Sequence, residues 1–359
     1  MVSYRYIQAS NSQINDATAP HVAVFVGGTS GIGKFTIKAL VATGLGVRIY
    51  LVGRKSSEER MHAFTRKLNA MNSKAEIIWI EGEVSLRAET KRVCEVIKSK
   101  ESRVDLLFLS TGYAPFGTRK ETSEGLEIAQ KLEYYSRILF TIHLLPILGQ
   151  AEAAKVASVL GGGLERATVD LDDLDMKKPG NFGAIKAQTQ YIAMNTMALE
   201  KIANENPKVS FIHSWPGFVN TGNVKRSDPN PLMAWFIRLF LESLIIRLIA
   251  LSDEGSGQRN LFQSTSATLG GRGVPWKGKP GINSLEKHGD GLFPVNSIVT
   301  VASRGIGRAI ERFGKVDILV LNAGLLVADN SLDKTEEADY GRAFGTNVKG
   351  VMFLVKVCT

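Results

Sequence analysis

Cysteine is nearly missing from this chain. Cys94 and Cys358 are the two among 359 residues. Two thiols cannot build a disulfide framework or a cysteine-ligated zinc site, and a reducing compartment suits them best. Histidine is also sparse, five in all, and none stands at a metal-ligand spacing, so His143 and His213 read as packed side chains and no metal site is expected. Residues Met1 to Pro20 lack the apolar core of a secretory signal, which predicts a frayed N-terminal arm on a cytoplasmic protein. No basic-aromatic tract or nucleic-acid motif accompanies the net charge of +9. The 44 lysines and arginines are spread along the chain, a solvated surface suited to an anionic small ligand rather than to nucleic acid. The one long apolar run, Pro231 to Leu251, is broken by Arg238, Glu242 and Arg247, which argues against an integral membrane span.

Hydrophobic residues make up 44% and charged residues 22%, the balance of a soluble globular protein large enough for a substantial core. The chain is organised around one stretch. His21-Val-Ala-Val-Phe-Val26 reads as a buried strand and runs into Gly27-Gly28-Thr29-Ser30-Gly31-Ile32-Gly33, after which Lys34 to Thr43 reads as a helix. Gly27 suits a tight turn, Gly31 lets backbone approach a pyrophosphate, and Gly33 lets helix and strand pack closely. The helix N-terminus then offers its N–H groups to phosphates.

Strand and helix alternate from there. Gly46 to Val52, Ala75 to Ile80, Val104 to Leu109, Lys155 to Leu160 and Val209 to His213 read as strands. Ser57 to Met71, Leu86 to Lys100, Gly125 to Leu148 and Phe182 to Asn204 read as helices. This pattern predicts a Rossmann-type, doubly wound parallel sheet with three α/β/α layers. At the end of the second strand stand Arg54 and Lys55, where an acid would bind a ribose 2′-hydroxyl and a base accommodates a 2′-phosphate, so NADP(H) is the expected cofactor. Glu83, closing the third strand, is placed to meet the adenine.

The ordered set Gly27-x-x-x-Gly31-Ile32-Gly33, the strand ending at Gly112, Tyr134-Tyr135-Ser136-Arg137, Ser158-Val-Leu-Gly-Gly, Lys186 and Pro216-Gly217-x-Val219-x-Thr221 resembles the short-chain dehydrogenase/reductase family, more narrowly its fungal secondary-metabolite branch. The resemblance covers roughly His21 to Ala267. It implies a tyrosine that protonates the substrate carbonyl, a lysine that binds the nicotinamide ribose and lowers the phenol pKa, a serine that steadies the carbonyl, and a threonine at the position of Thr221 for the carboxamide. It also implies a helical lid at Pro231 to Leu251 over an apolar substrate pocket, with interfacial membrane contact as the other reading, and long helices that often make homodimers.

The chain departs from that pattern at the tyrosine. Tyr-x-x-x-Lys is matched by Phe182-Gly-Ala-Ile-Lys186, which keeps the ring and loses the proton. Asn-Ala-Gly is replaced by Ser110-Thr111-Gly112, and the helical asparagine falls on Tyr135. Ser158 lies 24 residues before Phe182, a longer gap than the family shows. The expected catalytic set is therefore Lys186, Ser158 and Tyr135, with Tyr134, the Asp170 to Asp175 loop or water as other proton sources.

Thr268 to Asn296 is glycine-rich and reads as a linker. The first motif then returns in Val301-Ala-Ser-Arg304-Gly305-Ile306-Gly307, followed by Val316-Asp317 to Asn322-Ala323-Gly324 and by Asn347. Gly33 precedes Asp105 by 72 residues, but Gly307 precedes Asp317 by only 10. A copy without its second and third strands leaves strand edges unpaired, so 297–359 reads as a truncated second segment, a gene remnant or a faulty gene model. The function expected is NADP(H)-dependent reduction of a carbonyl or imine in an apolar small molecule. A non-redox cyclase or isomerase, or an inactive relative, are the alternatives that Phe182 raises.

Overall fold

The computed structural model describes residues 3–165, 169–217, 219 and 251–296. The elements run α1 (Tyr4–Asn11), β1 (Val22–Val26), α2 (Gly31–Val41), β2 (Arg48–Gly53), α3 (Glu58–Met71), β3 (Glu76–Glu81), α4 (Arg87–Lys98) and β4 (Leu106–Leu109). There follow α5 (Ile128–Gln130), a π-helical turn (Lys131–Tyr135), α6 (Ser136–Leu148), β5 (Lys155–Val159), α7 (Ala184–Glu205), β6 (Ser210–Trp215), α8 (Asp253–Thr265) and β7 (Leu292–Asn296).

Among the described residues seven strands lie in one sheet of order β3-β2-β1-β4-β5-β6-β7, and every neighbouring pair is parallel. Val22 to Val26 is apolar throughout because both sheet faces are covered. Val24 and Val26 join Val93, Phe140, Leu144 and Leu199 on the side of α4, α6 and α7. Ala23 and Phe25 join Ile37, Leu40, Met61 and Leu261 on the side of α2, α3 and α8. The three-layer reading of the sequence is the fold observed. Cys94, buried in the first of these cores, has its thiol pushed up to about 12 by burial, an inert packing residue.

Two segments differ from the sequence reading. Residues 4–11, expected within a frayed arm, form α1, which packs on α8 with Ile7, Ser10 and Asn11 buried. The Asn11 side-chain amide donates to the Gln258 carbonyl at 2.8 Å and to its side-chain oxygen at 2.6 Å. The partner that holds the arm is some 250 positions away and leaves no local trace.

The stretch expected as a linker supplies β7, which extends the parallel sheet beyond β6. Pro294 hid it, since proline interrupts a strand pattern; on the last strand of the sheet its missing N–H costs no ladder bond. Lys155 ties the same region down, its buried ammonium donating to the carbonyls of Ser266 at 2.6 Å and Leu269 at 2.5 Å.

Burial lowers the Lys155 pKa from 10.5 to about 7. Between those values the unfolded chain binds more protons, so this group makes stability rise with pH from about 7 towards 10.5. Lys155→Met is expected to flatten that rise by roughly 2–4 kcal/mol, measured by urea denaturation at about pH 7 and about pH 10.

Among the described residues no helix is long and apolar enough to cross a membrane. The expected lid at Pro231 to Leu251, apart from Leu251 itself, lies outside the described residues, as do Thr221 and the second segment 297–359.

Candidate active site

The strand order reverses direction between β1 and β4, and in such sheets the crevice beyond the carboxyl ends of those strands is where a ligand fits. Gly27, with φ +103°, turns the chain out of β1 against the backbone following β4: a Cβ here would lie 2.6 Å from the Thr111 nitrogen and 2.7 Å from the Ser110 carbonyl carbon. A Cβ on Gly33 would lie 2.8 Å from both the Gly27 oxygen and Ser110 Oγ. Gly31 opens α2 at φ +55°, and Ser30 is its N-cap in extended conformation. The turn is thus clamped between two strand ends, with Ile32 and the first turn of α2 pointing their N-terminal dipole at the crevice.

Thr29 reaches sideways to β2. A Cβ on Gly53 would meet Thr29 Cγ2 at 2.6 Å and the Trp79 ring at 2.5 Å. Trp79, which sequence reasoning passed over, closes the wall beside exposed Arg54 and Lys55. Glu83 lies past the end of β3, its carboxylate accepting from the Ser85 hydroxyl at 2.7 Å.

On the other side of the crevice a buried guanidinium does the bracing. Arg137, 1% exposed, donates to Leu132 O at 3.3 Å, Val159 O at 3.0 Å, Ser158 Oγ at 2.9 Å and Thr111 O. Burial pulls its pKa down to about 10, opposed by Glu133. One side chain therefore joins the ends of β4 and β5 to α6. Ser158 is fully buried within β5, with its hydroxyl spent on Arg137.

Lys186 stands exposed in the first turn of α7 and bonds Asn181 Oδ1, whose amide in turn reaches Asp173 at 2.6 Å and Asp170 at 3.3 Å. Those bonds fold the acidic loop onto the start of α7. Phe182 packs, with Tyr113 and Leu160, against Ala129, Met176, Ala187 and Tyr191. Tyr135 turns to Asp175, its hydroxyl 3.4 Å from the carboxylate. Burial, with Asp175 adding to it, pushes that phenol up to about 12.

The side chain under Gly112 is Glu133, which sequence reasoning did not single out. A Cβ on Gly112 would lie 2.7 Å from Glu133 Cγ and from Oε1. The resemblance put the family's helical asparagine on Tyr135; Glu133 stands two residues earlier, on the π turn Lys131–Tyr135, which changes which side chain faces the strands.

Gly217, at φ +77°, turns the chain after Pro216 at the end of β6, and Val219 bridges in parallel to Leu251. His213 is buried and held down to about 3 by burial and by Arg137; it meets Thr196 Oγ1 at 2.8 Å, so it is a neutral packed residue. Among the described residues no group of three or more histidines, cysteines and acids could hold a metal. A polar cavity of about 200 Å³, lined by Asp16, His21, Arg103, Asp105 and Ser264, opens at the opposite, amino end of the strands.

The family model for short chain dehydrogenases matches residues 21–161 and 299–359. The chain belongs to the short chain dehydrogenase family. Among its relatives is the NmrA-like family domain-containing oxidoreductase notO of Aspergillus sp. (strain MF297-2), 33% identical over 87% of this chain and 94% of that protein. Oxidoreductase AN1596 of Emericella nidulans is 35% identical over 74% of this chain and 78% of that protein. The L-sorbose reductase of Gluconobacter frateurii, solved with NADPH and L-sorbose, shares the dehydrogenase fold at a TM-score of 0.51, 17% identity, and 68% and 90% coverage of the two chains. Its likeness is one of fold alone.

Proposed function

We propose that this short chain dehydrogenase relative is an NADP(H)-dependent oxidoreductase that reduces a carbonyl or imine carbon of an apolar small molecule, within secondary metabolism. The observation that carries the reading is the pair Arg54 and Lys55, exposed just past Gly53, whose neighbour Thr29 belongs to the glycine turn.

The residues present fit the cofactor. Gly27, Thr29, Ser30, Gly31, Ile32 and Gly33 would hold its pyrophosphate, Arg54 and Lys55 its 2′-phosphate, and Glu83 its adenine. Gly112, Lys186, Pro216, Gly217, Val219 and Thr221 would line its nicotinamide half. When bound, the cofactor supplies a hydride. The chain's own share is to orient the substrate and deliver a proton. Phe182, Tyr113 and Leu160 give an apolar wall for the substrate. An imine suits the loss of the phenol, because its nitrogen can take up a proton before reduction. Exposed Ile142 on α6 and Met197 on α7 support a homodimer through those helices, and the two cysteines a cytoplasmic setting.

A thermal-shift titration tests this. NADPH at a hundredfold excess over its dissociation constant should add about 2.7 kcal/mol of stability, with NADH far less effective. Arg54→Glu should weaken NADPH roughly 10- to 100-fold by replacing a phosphate partner with a like charge, and leave NADH binding unchanged. Equal response to both cofactors would remove the 2′-phosphate role of Arg54, and no response to either would overturn the reading. The non-redox alternative rests on Phe182; it requires product to form without NADPH being consumed.

A further inference from the structure

We propose that Glu133 is the proton donor of the reaction, standing in for the phenol that Phe182 lacks. This rests on the oxidoreductase reading of the same site and adds to it a residue and a protonation state.

Position comes first. Gly27 of the cofactor turn packs on the Thr111 nitrogen, and the next residue, Gly112, packs on the Glu133 carboxyl. Glu133 therefore lies one residue from the contact that closes the glycine turn, against the chain that leaves the carboxyl end of β4. Gly112, at φ +150°, has no side chain to separate the two, and Oε1 lies 2.7 Å from the place where one would begin. The π turn that carries Glu133 is the irregularity that aims it there.

The surroundings favour a neutral acid. Glu133 is 3% exposed. From α7, Gln188 Nε2 donates to its Oε2 at 3.1 Å, and the Tyr113 backbone N–H donates from the loop after β4. Two cations share its helical run: Arg137 spends its hydrogen bonds on Leu132, Thr111, Ser158 and Val159, and Lys131, on the same π turn, pairs with Glu124 at 2.7 Å. Glu127, from the start of the helix, is a second buried acid; its carboxylate accepts from Tyr191 Oη at 3.0 Å and from the Gln130 nitrogen at 2.6 Å. Its charge works against a second one nearby. Burial is the main cause and Glu127 adds to it, while Arg137 and Gln188 oppose; together they push Glu133 up to about 8. A carboxyl there keeps its proton at neutral pH and can still release it.

The step balances simply. The O–H bond of Glu133 breaks while an O–H bond forms to the substrate's carbonyl oxygen, or an N–H bond to an imine nitrogen, and the hydride supplied by the cofactor completes the two-electron reduction. Glu133 is left as a carboxylate and recovers its proton from solvent. The nearby phenols are poorer donors, since burial pushes Tyr113 and Tyr135 each up to about 12.

Glu133→Gln tests this in two ways. With a panel of aryl ketones and cyclic imines, the variant should bind NADPH as the wild type does but oxidise it at least 100-fold more slowly. It should also lose the alkaline limb that depresses wild-type turnover above about pH 8. Independently of activity, the wild-type minus variant infrared difference spectrum of the cofactor-free protein should show the C=O stretch of a protonated carboxylic acid near neutral pH, fading as pH rises through about 8. Full activity in Glu133→Gln, or no such band at neutral pH, would overturn the donor role while the oxidoreductase reading stands. Wild-type protein that neither binds nor oxidises NADPH would overturn both.

Discussion

Arg137→Met is expected to cost about 3–5 kcal/mol of folding stability, the largest single-residue effect proposed for this chain. Replacing a buried ion pair with well-packed apolar groups is often harmless, because both charges leave together. Arg137 offers no such exchange. Three of its partners are backbone carbonyls, of Thr111, Leu132 and Val159, and the fourth is the hydroxyl of fully buried Ser158. The fold fixes the carbonyls where they are, so removing the guanidinium leaves them buried without a donor. Methionine fills most of the volume and none of the bonding. Arg137→Lys keeps the charge but has no planar fork to span both strand ends, and is expected to recover less than half of the loss.

The same variant separates architecture from chemistry. Thr111 is held from one side by Arg137 and touched from the other by Gly27, so freeing it loosens the seat of the glycine turn. NADPH affinity is therefore expected to fall along with stability, whereas Glu133→Gln leaves both nearly intact and removes turnover. Urea denaturation and a cofactor titration on the two variants distinguish these patterns.

How much of this was legible in the sequence follows the range of the interactions. The strand from Val22, the turn Gly27 to Gly33 and the basic pair after Gly53 are read from neighbours within a dozen residues, and the structure has β1, the turn into α2 and the end of β2 at those positions. Phe182 in place of tyrosine is equally local, and so is the packed state of His213. The missing elements depend on distant partners. Nothing near Asn11 reveals that Gln258 will hold it, and nothing near Leu292 reveals β6 as the neighbour that makes it a strand.

Glu133 is the most instructive case. Its surroundings come from a glycine 21 positions earlier, a glutamine on another helix, and a π turn that no local pattern announces. Ser158 shows the converse: a hydroxyl of the right type at a suitable strand end is enclosed by an arginine from α6. Residue type suggested Ser158 and passed over Glu133, and only packing shows that the serine hydroxyl is used to hold the scaffold together while the glutamate carboxyl lies against Gly112.

Gly27→Ala is the second large effect expected, and it acts on binding more than on any other property. Two costs coincide at this residue. Its φ of +103° is a backbone conformation that alanine resists, and the new methyl carbon would lie 2.6 Å from the Thr111 nitrogen, a backbone atom that cannot swing aside. Together these are expected to cost about 2–4 kcal/mol of stability. Relief requires the turn to lift off β4, and a displacement of about 1 Å in a positioning loop suffices to cost on the order of 100-fold. NADPH affinity should fall by that amount or more. Gly44→Ala supplies the control: its φ is +75°, but the new methyl would meet nothing within 4 Å. That variant carries backbone strain alone, about 1–2 kcal/mol, and should bind NADPH as the wild type does. Equal losses of affinity in the two alanine variants would show that the loss follows general stability, and the close approach of Gly27 to Thr111 would then have no specific part in seating the cofactor.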